Sequence, residues 1–149
     1  MTKKRPISSA TALPRTYWGA DVPMRVIRDY ARRVAERFLP DRIILFGSHA
    51  YGTPNADSDV DLLVIMPAYN QGSKARRIRR EIPAPFPMDL LVRTPYEMKW
   101  RLEEGDTFLT AIVSKGKVLY EKGDPRVGEQ GRGRLPRRKG PRPKPTSPA

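Results

Sequence analysis

The sequence has no cysteine and only one histidine. Disulfide bridges and thiolate metal sites are excluded, and the lack of cysteine fits an expected cytoplasmic location. Long hydrophobic runs are missing as well. Nothing approaches the roughly 18 consecutive apolar residues that a membrane-spanning helix needs. The opening stretch MTKKRPISSATALP carries basic residues but no apolar segment, so no signal peptide is expected. Acids are scarce, with 16 Asp and Glu against 29 Lys and Arg, for a net charge of +13. The excess is uneven: residues 1–15 carry +4 and residues 123–149 carry +6, which leaves +3 for residues 16–122. The basicity therefore sits in two arms around a nearly balanced middle.

What is present suits one domain. At 149 residues, a single core able to bury about two-thirds of the unfolded surface is expected. Residues 1–20 show no periodicity and read as a loose basic arm, with Tyr17 and Trp18 available to dock on the domain. Residues 21–122 form the domain. Residues 123–149 hold six Pro and five Gly with almost nothing apolar, and should be disordered.

Within the domain, Asp21 is expected to cap a helix with Pro23 in its first turn. Ile27, Tyr30, Ala31, Val34 and Phe38 follow at helical spacing, and Pro40 ends the run. Its arginines, Arg25, Arg28, Arg32, Arg33 and Arg37, line the outer side as a solvated face. Strands are expected at about 42–46, 59–66 and 86–93, with a last short one at 117–121. Ser73 is expected to cap a helix running to Ile82. Thr94-Pro95-Tyr96-Glu97 combines a capping box with proline at the first helical position. Asp106 caps a further helix with Phe108, Leu109, Ile112 and Val113 on its buried side. The fold class expected is α/β (α+β), a small mixed β-sheet flanked by helices.

The chain is organised around RIILFGSHAYGTPNADSDVDLLVIM, residues 42–66. An apolar strand stops at Gly47-Ser48. Ten residues later come Asp59-Val60-Asp61 and a second apolar strand. Aspartate is a poor strand residue, so two at alternate positions need a reason. Side chains at i and i+2 point to one face, about 6.5–7 Å apart, so both carboxylates aim at the same spot. Asp89, inside the third strand, shares its face with Leu91 and Arg93 and can supply a third carboxylate. Two carboxylates about 5 Å apart repel by roughly 3 kcal/mol at an effective dielectric of 20, a cost that a divalent cation removes. Glycine at the strand end lets an anion approach the backbone, and Ser48 adds a hydroxyl.

This pattern of strand, Gly47-Ser48, Asp59-x-Asp61 and a later strand aspartate, Asp89, resembles the nucleotidyltransferase superfamily that includes DNA polymerase β. It is most similar to the small, stand-alone minimal nucleotidyltransferases, over residues 21–122. The resemblance implies transfer of a nucleoside monophosphate from a nucleoside triphosphate, ATP being the expected donor, with release of pyrophosphate. It implies that Asp59, Asp61 and Asp89 hold two Mg²⁺ ions, that Gly47 and Ser48 hold the distal phosphates, and that Asp89 is the general base. It also implies a partner. Minimal nucleotidyltransferases are commonly paired with a small helical HEPN protein, serving as the antitoxin that transfers AMP to a tyrosine of the toxic RNase. Many relatives carry arginines in the turn where this chain has His49 and Tyr51, so Arg93 or Lys74 would have to balance the triphosphate's charge.

Two other functions fit parts of the sequence. One is a catalytically weak adaptor whose basic arms bind nucleic acid; the other is aminoglycoside modification. His49 is expected as a partly exposed helix residue, and Asp57 as a loop acid outside the aspartate pair. If the arms are a nucleic-acid tether, deleting residues 123–149 should lower affinity for RNA at low salt and leave folding unchanged. Unchanged binding in a gel-shift titration would remove the tether.

Overall fold

The computed structural model describes residues 16–124; the expectations for the two arms fall outside that range, except for residues 16–20 and 123–124. After a 3-10 turn at Gly19–Asp21, the elements in chain order are α1 (Met24–Phe38), β1 (Arg42–Phe46), α2 (Ser48–Tyr51) and β2 (Val60–Ile65). There follow α3 (Gln71–Glu81), β3 (Met88–Arg93), α4 (Pro95–Glu103), α5 (Thr107–Lys115) and β4 (Lys117–Glu121). The strands form one mixed sheet in the order β3-β2-β1-β4. β1 pairs antiparallel with β2 and β4, whereas β2 and β3 run parallel. A parallel pair needs a crossover, and α3 provides it.

Strand alternation divides the apolar residues between two layers. Ile43, Leu45, Leu62, Val64, Leu90 and Val92 face α1 and α3, where Ile27, Tyr30, Val34 and Ile78 complete the larger cluster. Ile44, Phe46, Leu63 and Ile65 face the other way and pack with Met98 of α4 and with Leu109 and Ile112 of α5. Odd-numbered positions of β2 therefore look toward α4 and α5. Asp59 and Asp61 belong to that parity.

Several helix starts follow the sequence and two do not. The Thr94 hydroxyl accepts from the Glu97 N–H at 3.0 Å, and Asp106 accepts from the Leu109 N–H at 2.9 Å. Asp21 caps nothing: it lies in the 3-10 turn, and α1 starts after Pro23 without a side-chain cap. α3 begins earlier than expected because Asn70, not Ser73, is the cap, accepting from the Ser73 N–H at 2.8 Å. An Asn one turn upstream satisfies the same orphan donors, and the serine supplies only a backbone N–H. The loose arm expected up to residue 20 is laid on the domain from Tyr17, whose N–H donates to the Pro85 carbonyl at 2.8 Å.

α1 is tied to the end of α3 through Tyr30. Its hydroxyl donates to the Ile82 carbonyl at 2.7 Å, and its ring stands edge-on to Phe86. Burial pushes this phenol up to about 12. Tyr30→Phe keeps the ring and orphans the buried carbonyl, so it should cost about 1–2 kcal/mol in urea unfolding. An unchanged urea midpoint would show that the bond contributes nothing.

Candidate active site

The site is built where β1 ends. Phe46 pairs with Asp61 across the antiparallel ladder, and Asp61 pairs with Asp89 across the parallel one. Register partners on adjacent strands point to the same side, with backbones about 4.8 Å apart. The two carboxylates therefore stand next to each other at the end of the sheet, with Phe46 as the third residue in the row. Asp89 is exposed on the edge strand, and Asp61 is half-buried between its neighbours.

Gly47 makes room for this arrangement. Its φ is +76°, and a Cβ placed on it would stand 2.1 Å from Oδ2 of Asp61. Both the backbone conformation and the approach of the carboxylate require glycine here. Gly47 then leads into the single turn of α2.

Gly47, Asp61 and Asp89 line one side of an open cavity of about 520 Å³. Arg93 and Leu91 of β3, Tyr51 of α2, and Phe46, Phe108, Ala111 and Ile112 line the rest. One end of the cavity is thus acidic and the remainder largely apolar. Phe108 was expected on the buried side of α5. It is instead 51% exposed and stands edge-to-face on Phe46 with ring centroids 5.8 Å apart. Helical spacing groups it with Ile112, but it lies at the margin of the apolar stripe, where the sheet below has given way to carboxylates.

Ser48 and Asp59 stand beside the cavity rather than on its wall. The Ser48 hydroxyl donates to Ser58 Oγ at 3.0 Å, and that oxygen also accepts from the Asn55 N–H at 2.8 Å. Ser48 thereby ties the Gly-Ser corner to the loop that carries Asp59. Asp59 is exposed, one residue ahead of β2. Its charge still reaches Asp61. Burial first, then the charges of Asp89 and Asp59, raise the Asp61 carboxyl from its ordinary 3.8 to about 6. The three acids named from the sequence thus occupy one electrostatic neighbourhood, with two of them in lateral contact and the third at the rim.

His49 differs from its expectation. It is buried at 7% exposure, and burial lowers its affinity for a proton. The Gly19 backbone nearby acts against that lowering, while Nε2 is buried without a partner among the described residues. The signal missed was tertiary: nothing local to His49 reveals that the 3-10 turn covers it. Asp57 is an exposed turn residue ahead of β2.

The donor set suits a hard divalent cation. It offers oxygen ligands only, and burial together with the neighbouring carboxylates raises the proton affinity of one of them, Asp61. Among the described residues, no three His, Asp or Glu side chains are drawn together as a finished ligand cage.

The nucleotidyltransferase domain family matches residues 27–117, and the chain belongs to that family. Its reaction class is therefore nucleotidyl transfer, with a nucleotide as substrate. The chain is also similar to the crystal structure of a candidate nucleotidyltransferase from Sulfolobus solfataricus. That likeness has 17% identity, covers 66% of this chain and 80% of that one, and has a TM-score of 0.46. No curated protein matches the chain. No helix among the described residues is long and apolar enough to cross a membrane.

The raised Asp61 carboxyl makes a prediction about stability. A carboxyl that binds its proton more tightly when folded favours the fold fully below pH 4 and loses that contribution as pH rises through about 6. At pH 8 the ionised Asp61 therefore opposes folding. Asp61→Asn, with chelator present, should be more heat-stable than the wild type at pH 8 and nearly equal at pH 4. Solvent screening of a half-exposed group limits the gain to about 1–2 kcal/mol. A pH-independent difference between the two melting curves would contradict the assigned cause.

Proposed function

We propose that this protein is a Mg²⁺-dependent nucleotidyltransferase that moves AMP from ATP to a hydroxyl presented by a protein partner. The observation that carries the reading is the lateral pairing of Asp61 with Asp89 beside Gly47, at the mouth of a cavity that is acidic at one end and apolar along the rest.

The acceptor oxygen attacks the α-phosphorus as the bond to the pyrophosphate oxygen breaks. Asp89, exposed on the edge strand, takes the proton from the acceptor hydroxyl. Asp59, Asp61 and Asp89 are the residues that would hold the metal. Bound there, two Mg²⁺ ions would neutralise charge on the attacking, equatorial and leaving oxygens. The Gly47-Ser48 corner is assigned the distal phosphates on the family resemblance, while the space left by the missing Gly47 side chain admits the Asp61 carboxylate. Arg93, on the cavity wall, supplies the positive charge that the turn lacks at His49 and Tyr51. Asp61 is the ligand that must lose a proton on metal binding, so activity should fall as pH drops below about 6.

The acceptor is read as part of a macromolecule because the domain is small and its cavity open. Tyr51 and Phe108, both large, half-exposed and on the cavity wall, give such a partner an apolar seat. A tyrosine of a small helical HEPN-type toxin, modified in the cytoplasm by this protein as antitoxin, is the specific form of the proposal.

The test incubates the protein with α-labelled ATP, Mg²⁺ and candidate acceptors. Wild type should transfer label, and Asp59→Ala/Asp61→Ala should not. Asp89→Asn should keep nucleotide binding and lose about 10²–10⁴-fold in turnover, the usual worth of a positioned base. Transfer that persists in the double variant would overturn the metal-ligand roles.

A further inference from the structure

The family match begins at residue 27, but the segment just before it touches the reacting corner. Three observations meet there. Gly19 has φ +49°, and a Cβ on it would lie 2.4 Å from the Ala56 carbonyl oxygen and 2.8 Å from that of Asn55. Its backbone is therefore pressed directly onto the loop between α2 and β2. From the other side, the buried His49 ring of α2 lies close enough to the Gly19 backbone for that backbone to favour its protonated form. Nε2 is buried without a hydrogen-bond partner among the described residues. The loop itself is closed by the Ser48–Ser58–Asn55 bonds described above.

The segment is held at both ends. Tyr17 is bonded to Pro85 and packs on the larger cluster, and Val22 is buried. Between these anchors the chain is a strap across the Gly47-Ser48 corner and the loop that delivers Asp59. We infer that Gly19 and His49 are positioning residues of the nucleotide site: the strap sets the distance between the phosphate-binding corner and the aspartate loop. Neither residue reaches the cavity. Both act through the placement of Asp59, the one acid of the three that no strand pairing holds in register. Asp61 and Asp89 are fixed by the sheet, whereas Asp59 depends on what the loop leans on.

The inference rests on the nucleotidyltransferase reading, and one experiment separates the two. Full-length protein is titrated with Mg²⁺ in the presence of a fluorescent ATP analogue, and the Mg²⁺ midpoint for nucleotide binding is read beside the melting temperature. His49→Ala and Gly19→Ala should raise that midpoint by about 10- to 100-fold, the usual effect of removing a group that orients a metal ligand. His49→Asn keeps a side-chain donor and should return the midpoint to near the wild-type value. Trp18→Ala, at an exposed position of the same strap, should leave it unchanged. Should Gly19→Ala fail to fold, the His49→Ala and His49→Asn pair decides. Wild-type midpoints in the Gly19 and His49 variants would overturn the strap and leave the enzyme reading intact. Equal losses in His49→Ala and His49→Asn would also overturn it, because ring volume rather than the polar interaction with Gly19 would then be responsible. A wild-type protein that binds no nucleotide at any Mg²⁺ concentration would bring down both readings.

Discussion

Two carboxylates in lateral register on adjacent strands are an unfavourable thing to fold around. Asp61 and Asp89 sit one strand spacing apart, and Asp61 is also partly withdrawn from water. Apolar substitutes would suit this end of the sheet better if stability were all that mattered. The fold keeps the acids, and burial together with their mutual repulsion raises the Asp61 carboxyl from its ordinary 3.8 to about 6. Everything near them follows from that constraint: a glycine where any side chain would strike Oδ2, an edge position that leaves Asp89 in solvent, and a loop that stops Asp59 at the rim. A divalent cation is the simplest agent that turns this arrangement from a cost into a binding site.

The topology is what brings the acids together. Asp61 and Asp89 are far apart in sequence, and only a parallel crossover through α3 places them side by side. That crossover is secured on the opposite layer, where Ile78 is buried and Tyr30 grips the end of α3. The link from sequence to chemistry thus passes through packing on the face that carries no reacting group.

Much of this was legible beforehand because the relevant signals are local. The parity of Asp61, the face shared by Asp89, Leu91 and Arg93, and the caps at Thr94 and Asp106 all rest on local spacing, and the structure has each of them, whereas Asp59, expected inside the second strand, lies one residue ahead of it. The failures have a common cause. His49 is buried by a segment thirty residues upstream, so its own neighbourhood could not reveal it. Phe108 obeys the helical period yet stays half-exposed, because the sheet beneath it ends in carboxylates rather than in apolar residues. Asn70 displaced Ser73 as a cap since two candidates three residues apart compete for the same orphan N–H groups, and only the built helix decides. The bond from the Ser48 hydroxyl to Ser58 is a pairing across ten residues that no spacing rule foretells.

The sheet keeps its two apolar clusters apart, the larger beneath α1 and α3 and the smaller beside the acids. Cohesion and chemistry are thereby assigned to opposite sides of a single layer of strands. A descendant of this chain could exchange the residues that greet an acceptor, on α5 and along the outer strand, while the other side continued to hold the chain in shape. Such a division makes a small scaffold easy to diversify: new clients can be recruited by redecorating one surface, with little penalty in foldedness.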